Sequence, residues 1–175
     1  GTTGVTADVN AAVHSGGADM AAGTLASATN TLDINGVRIV ATVADATDSD
    51  GALRAAINAV SNQTGVTASV TGNRLILTAD DGRNIQVAVA GTGGTTSGLS
   101  AGVYKGSVTI YSDTSIAVGG TDATNAGFAV TSYTVDSNTA INTVDVTSQT
   151  GAQEAIRTAD IALGQLNQVR SSLGA

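Results

Sequence analysis

Hydrophobic and polar positions alternate on both sides of an Asn35-Gly36 pair near the start of the chain. Alternation at every second residue is typical of a strand with one buried face. Asn-Gly is the preferred two-residue connection between antiparallel strands, because both of its residues tolerate a positive φ. The pattern therefore predicts a β-hairpin over residues 31–43, with its turn at the Asn-Gly pair.

A short helix is predicted after this hairpin. Four apolar residues recur at steps of three or four, which places them on one face of a helix of about three turns. They are Leu53, Ala56, Ile57 and Val60. Ser49 stands before this segment, where its side chain would cap the first turn.

Three further strands complete a compact unit. Alternation predicts strands at residues 66–70 and 75–78, joined by a turn at Gly72-Asn73. Asp80-Asp81-Gly82 then turns the chain into a strand at residues 84–90. The order strand, strand, helix, strand, strand, strand predicts an α+β unit built of hairpins and one short helix.

Two segments lack a periodic pattern and are predicted to be loops. Residues 91–102 form a Gly/Thr/Ser-rich run, which is typical of a linker or a long loop. Residues 14–24 are predicted to be a loop as well. Alternation later returns and predicts strands at residues 103–111, 115–118 and 128–135.

The last segment of the chain carries an apolar stripe at helical spacing. Its members are Ala152, Ile156, Ala159, Leu163, Leu166, Val169 and Leu173. Thr150 and Gln153 stand where a capping box would begin the helix, and Gly174 is a typical stop. Ile161 lies on the face opposite Leu163, so this helix is apolar on two sides. The stripe predicts a long amphipathic helix that packs against neighbouring helices.

Composition narrows the classes of function. The chain of 175 residues has a formal net charge of −7, which argues against binding nucleic acid or an anionic membrane surface. It contains no cysteine, which excludes disulfides, thiolate nucleophiles and cysteine metal ligands. Charged residues make up 12%, against about 25% in an average domain, so Ser, Thr, Asn and Gln must provide most of the polar surface.

Candidate catalytic and metal-binding residues are few. His14 is the only histidine, so the chain cannot supply a two-histidine metal motif, and we interpret it as a surface loop residue. Asp45, Asp48 and Asp50-Gly51 resemble part of a calcium loop, but Ile57 stands where its twelfth position requires an acid. We interpret these acids as groups that cap the short helix. We therefore predict no catalytic, cofactor or metal site, and a protein that is not an enzyme.

Two stretches of the chain resemble bacterial flagellins. Asp145-Val146-Thr147, Gly151-Ala152-Gln153 and Val169-Arg-Ser-Ser-Leu-Gly-Ala175 are similar to the carboxy-terminal core helix of that family. Residues 32–82 resemble a motif that is repeated in the variable outer region of many flagellins.

An internal repeat accompanies this resemblance. Thr3-Gly-Val-Thr-Ala-Asp-Val9 matches Thr64-Gly-Val-Thr-Ala-Ser-Val70 at all but one position. Residues 3–9 would therefore be the end of an earlier copy of the outer motif. At the other end, the core helix of the family usually continues beyond Leu-Gly-Ala. We therefore expect the chain to be an excised piece of a longer flagellin.

The resemblance implies an organisation in two parts. Residues 1–146 would form the β-rich variable outer domain, with two subregions split near residues 91–102. Residues 147–175 would form the start of the C-terminal core helix. The implied fold class is α+β: a β-rich outer domain of hairpins with one short helix, followed by a long C-terminal amphipathic α-helix. Exposed hydroxyls of such a domain are candidates for O-glycosylation, here Thr95, Thr96, Ser97 and Ser100.

The resemblance also implies a structural function. The chain would belong to a secreted subunit of the bacterial flagellar filament, which self-assembles with other flagellin subunits into a homopolymer for motility. The innate immune flagellin receptor would be a partner of the full-length protein. The terminal helix would fold back on the β domain or pair with a neighbouring subunit. The implied assembly interface is Ile156, Ile161, Leu163, Leu166, Val169 and Leu173.

An alternative function is a bacterial surface adhesion module that binds glycans. Such modules present rows of aromatic side chains, and this chain has three tyrosines. Tyr104 and Tyr111 fall in one predicted strand, but their odd spacing would direct them to opposite faces. Binding to a glycan array would distinguish this alternative from the structural function.

Overall fold

The computed structural model describes residues 5–26, 29–112, 115–119, 132–133, 146–147 and 149–174. In this part, the strands are β1 (Val5–Asn10), β2 (Ala12–Ser15), β3 (Gly23–Leu25), β4 (Thr31–Ile34), β5 (Val37–Ile39), β6 (Ala41–Val43), β7 (Thr67–Thr71), β8 (Arg74–Ala79), β9 (Ile85–Ala90), β10 (Gly102–Tyr104), β11 (Ser107–Ser112), β12 (Ile116–Ala117) and β13 (Ser132–Tyr133). The helices are α1 (Ala52–Ala59), α2 (Ser61–Thr64), α3 (Gly93–Ser97) and α4 (Gln149–Leu173). Residues 7–109 form one compact unit, and the described residues before and after them form a second.

The first predicted hairpin is confirmed and lies in a four-stranded antiparallel sheet with the order β10-β9-β4-β5. Ile34 stands opposite Val37 where β4 turns into β5. The two residues between them have φ values of 48° at Asn35 and 80° at Gly36. Both values are positive, as a type I′ turn requires.

This hairpin is shorter than predicted. β5 ends at Ile39, Val40 is 61% exposed, and β6 pairs with β3 instead of extending the hairpin. The predicted loop at residues 14–24 is confirmed at residues 16–22, but its two ends belong to β2 and β3. Alternation along one segment gives the face of a strand but not its partner, so this change of partner left no local signal.

The second predicted hairpin is confirmed in a three-stranded antiparallel sheet with the order β2-β8-β7. Its turn begins at Gly72, whose φ is 61°. α1 packs against β7 and β6. Leu53 and Ile57 are fully buried, and Ala56 and Val60 are partly buried against the same core. The predicted apolar face of this helix is therefore confirmed.

Aliphatic side chains form the hydrophobic core of the unit at residues 7–109. Each such side chain contributes about 1.5–3 kcal/mol when it is fully buried. Tyr104 packs at the margin of this core. The largest fully buried side chains are Met20, Leu25, Leu32, Ile34, Ile39, Leu53, Ile57, Leu75, Leu77 and Ile85.

The predicted linker at residues 91–102 is wrong in its central part, which forms α3. This helix packs against β3, β4 and β9. The Ser97 hydroxyl donates to the Gly93 carbonyl at 2.7 Å and accepts from the Leu99 N–H at 3.3 Å. Small residues let this short helix approach the backbone of the sheet, so a composition typical of a loop serves close packing here.

Replacing Gly93 by alanine is expected to lower the free energy of unfolding by about 1–3 kcal/mol. A Cβ atom at Gly93 would lie 1.9 Å from the Thr31 carbonyl oxygen, so α3 would have to move away from β4. Helix propensity alone predicts the opposite sign, because alanine is the better helix former. Urea denaturation measures the change, and Gly17→Ala is the control, because a Cβ there meets nothing within 4 Å. If Gly93→Ala were more stable than the unmodified chain, the close packing of α3 against β4 would be contradicted.

The remaining strands pair as β1 with β11 and β12 with β13. The predicted strand at residues 103–111 is interrupted and forms β10 and β11. Of the predicted strand at residues 128–135, only β13 falls in the described part, and the rest lies outside it.

A helix is confirmed at the C-terminal end. It ends at Leu173, and the Gly174 N–H donates to the Arg170 carbonyl at 3.0 Å, so the predicted stop at Gly174 is confirmed. The predicted cap is wrong, because the helix begins at Gln149 and Thr150 lies inside it. Packing of an apolar face of this helix against a partner is not shown, so a long amphipathic helix remains a prediction.

The fold is thus β-rich with a few short helices. The prediction of one short helix in the β-rich part is wrong, because the described part contains three short helices, α1, α2 and α3. α2 and α3 have only four and five residues, too few to show a helical period in the sequence.

Candidate functional site

The N-terminus of α1 is built on Asp48, whose side chain is fully buried. Its carboxylate accepts hydrogen bonds from the N–H groups of Leu53 at 3.0 Å and Arg54 at 3.1 Å, and from Arg54 Nε at 3.3 Å. The predicted cap at Ser49 is therefore wrong. Asp48 adopts a φ of 47°, a conformation that aspartate tolerates, and its oxygens reach the first turn of the helix.

Asp45 organises the loop that precedes this cap. Its carboxylate accepts from the Thr47 N–H at 2.8 Å, the Thr47 hydroxyl at 2.7 Å, the Ser49 N–H at 3.2 Å and the Ser49 hydroxyl. The bond from the Ser49 hydroxyl, followed by those from Thr47, holds the pKa of Asp45 well below its ordinary value. Asp50 accepts from the Ala52 N–H at 3.1 Å. The interpretation of these acids as capping groups is confirmed for Asp48 and Asp50, whereas the bonds of Asp45 lie in the loop before the helix.

Asparagine side chains hold separate backbones together in the same unit. Asn35 Nδ2 donates to the Thr64 carbonyl at 2.7 Å, and its Oδ1 accepts from the Gln86 N–H at 2.7 Å. Asn58 pairs with Ala68 in the same way, donating to its carbonyl at 3.1 Å and accepting from its N–H at 2.8 Å. Each amide thus donates to a backbone carbonyl and accepts from a backbone N–H, as a neighbouring strand would. The role of both asparagines is structural.

His14 is placed in β2 and not in a surface loop, so that interpretation is wrong. Its ring stacks on the ring of Tyr104 with centroids 3.3 Å apart and an angle of 14° between the planes. His14 Nε2 is buried without a hydrogen-bond partner in the described structure. No pattern along the chain indicates this pair, because the two strands are short and distant from each other in the sequence.

The prediction that Tyr104 and Tyr111 share a strand is wrong. Tyr104 ends β10 and Tyr111 lies in β11, so the two do not share a strand as predicted. The Tyr104 hydroxyl donates to the Ser100 carbonyl at 2.9 Å. The ring of Tyr104 is thus engaged inside the unit.

The four hydroxyl residues of the α3 region differ in accessibility. Thr95 and Ser100 are exposed. Thr96 and Ser97 are 2% and 0% exposed, so their assignment as accessible candidates for O-glycosylation is wrong. Formation of α3 is the reason, because it turns both side chains towards the sheet.

The residues predicted for assembly lie on α4. Five of them have side chains that are between 53% and 82% exposed: Ile156, Leu163, Leu166, Val169 and Leu173. The side chain of Ile161 lies outside the described part. Large apolar side chains exposed at helical spacing form a surface that a hydrophobic partner can cover.

The described residues also bear on metal binding and on membrane crossing. In the described part, no group of three or more histidine and acidic side chains could hold a metal ion. Among the described residues, no helix combines the length and the apolar character that crossing a membrane requires.

Comparison with known proteins identifies one segment. Residues 31–81 match the family model of the flagellin hook IN motif. A comparison with curated proteins finds no match. The matched segment extends from β4 to the turn after β8, so it includes the type I′ turn at Asn35 and the Asp48 cap. The resemblance of residues 32–82 to flagellins is thereby confirmed, and the chain carries a flagellin hook IN motif.

Proposed function

We propose that this chain is part of a structural subunit of the bacterial flagellar filament, exposed on the filament outside the cell. The hook IN motif at residues 31–81 is the observation that carries the proposal. The flagellin family is structural and not enzymatic. The uses found for the acids and amides of this unit, which are capping and backbone bridging, agree with a scaffold.

We propose a separate role for each of two consecutive segments of the chain. Residues 1–146 form the variable outer domain, and residues 147–175 belong to the core helix through which subunits polymerise. In this proposal, repeated head-to-tail contacts between copies extend into a helical filament because they do not close into a ring.

The proposed assembly contacts are the apolar side chains of α4. Ile156, Leu163, Leu166, Val169 and Leu173 are the exposed members, and Ile161 would contact a second neighbour. Complete burial of such a side chain contributes about 1.5–3 kcal/mol. Association costs about 4–15 kcal/mol, about as much as the complete burial of these five side chains would return, so a stable interface needs further surface. We therefore expect the 175-residue chain alone not to form filaments.

Immunogold electron microscopy of the source bacterium tests the proposal, with antibody raised against this chain. Gold along the flagellar filament is the expected result and would place the outer domain on its surface. Gold on the cell envelope beside bare filaments would overturn it. That outcome would favour the alternative of a surface adhesion module, which binding to a glycan array would then examine.

A further inference from the structure

His14 lies on the core face of its sheet. Opposite residues of an antiparallel pair direct their side chains to the same face. β2 places Ala12 opposite Ala79 and His14 opposite Leu77. Ala12, Leu77 and Ala79 are all buried, so the imidazole extends from an apolar surface.

Tyr104 approaches the histidine from the other sheet. It stands opposite the buried Ile85 in the pairing of β10 with β9. In the part of the chain that the structure describes, β2 and β10 are the outer strands of their sheets on this side, and each pairs with one neighbour. The stack of His14 on Tyr104 therefore joins two sheet edges through side chains.

Among the described residues, the elements around the imidazole offer no acid that could balance a charge. β2, β9 and β10 contain no charged residue, and Lys105, which follows β10, is exposed. The only charged residue of β8 is Arg74, which lies on the opposite face from Leu77 and is 3.5 Å from Asp19. Asp80, which follows β8, is exposed.

We propose that the His14–Tyr104 stack is an acid-sensitive latch between the two sheets of this unit, and that protonation of His14 separates β2 from β10. The neutral ring can leave Nε2 without a partner, since this nitrogen can be the acceptor of the pair. The imidazolium must carry a proton there, and a buried N–H with a positive charge and no acceptor is strongly unfavourable. The tyrosine ring attracts a cation through its face but cannot accept this in-plane N–H.

The direction of the pH effect follows from burial. Desolvation lowers the pKa of His14 below its ordinary value of 6.5. The folded unit therefore binds fewer protons than the unfolded chain around this pH. The contribution of the latch is complete above pH 6.5 and is lost progressively as the pH falls below it.

The test uses the 175-residue chain and two NMR measurements. His14 is the only histidine, so its ring signals are identified without assignment experiments. A titration from about pH 8 to pH 5 is expected to give a pKa below that of a histidine in a short peptide. Hydrogen exchange is expected to show loss of amide protection in β2 and β10 at the acid end, with β4 and β5 unchanged.

His14→Phe is the matched variant, because it keeps a stacked ring and removes the titration. Its β2 and β10 amides are expected to stay protected at the acid end. Equal loss of protection in this variant would overturn the proposal, and so would a His14 pKa at or above the peptide value. The titration of the unmodified chain gives this answer even if the variant fails to fold. Tyr104→Phe keeps the stack and is expected to retain the pH response.

Discussion

Replacing Asp48 by alanine is expected to lower the free energy of unfolding by about 3 kcal/mol. The substitution removes the acceptor of the Leu53 and Arg54 N–H groups at the start of α1. The Leu53 N–H is buried there, so it cannot exchange its lost partner for water without opening the structure. Alanine would also have to adopt the φ of 47°, which costs an L-residue about 1–2 kcal/mol.

Two further variants separate these contributions in urea denaturation. Asp48→Gly removes the cap but tolerates the positive φ, so its loss is expected to be about 1–2 kcal/mol. Ser49→Ala tests the residue that the sequence indicated; it removes one exposed hydrogen bond to Asp45, so the expected loss is no more than about 1 kcal/mol. If Ser49→Ala proved as costly as Asp48→Ala, the cap would have to be assigned to Ser49 after all.

The elements that sequence analysis predicted are those with a signal inside one short segment. Asn35-Gly36 determines its turn by its own conformational preferences, independently of the rest of the chain. Leu53 and Ile57 repeat at helical spacing, and this identified the buried face of α1. Most elements of the hook IN segment are of this kind, although β6 and α2 are not.

The elements that were missed depend on contacts between distant segments. β6 separates from the first hairpin because β3 provides another partner, and neither strand exceeds three residues. α3 is a helix because Gly93 fits against the backbone of Thr31, a contact that no composition rule describes. The choice between Asp48 and Ser49 as the cap likewise depends on a backbone conformation that either residue could adopt.

The candidate site shows the same division. A helical period in the sequence was enough to select the apolar residues of α4, and five of them are exposed in the structure. The spacing of apolar residues does not distinguish a helix face that is buried within its own chain from a face that binds another molecule. His14 was misplaced for a different reason, since its environment is provided by Tyr104, ninety residues away along the chain.

A matched pair of isoleucines separates the packed helix from the exposed one. Ile57→Ala in α1 is expected to lower the free energy of unfolding by about 2–5 kcal/mol, because its side chain is fully buried in the core. Ile156→Ala in α4 is expected to change it by no more than about 0.5 kcal/mol, because Ile156 is 66% exposed. The chemical change is identical and both residues lie in helices, so the difference reports burial alone.

The same pair tests the proposed use of α4. In the proposed filament subunit, Ile156→Ala is expected to raise the protein concentration needed for polymerisation, while the 175-residue chain keeps its stability. Light scattering at increasing concentration measures the first property, and urea denaturation measures the second. A strong loss of stability with Ile156→Ala in the isolated chain would show that this face is packed within the chain. The apolar face of α4 could then not be the surface that binds a neighbouring subunit.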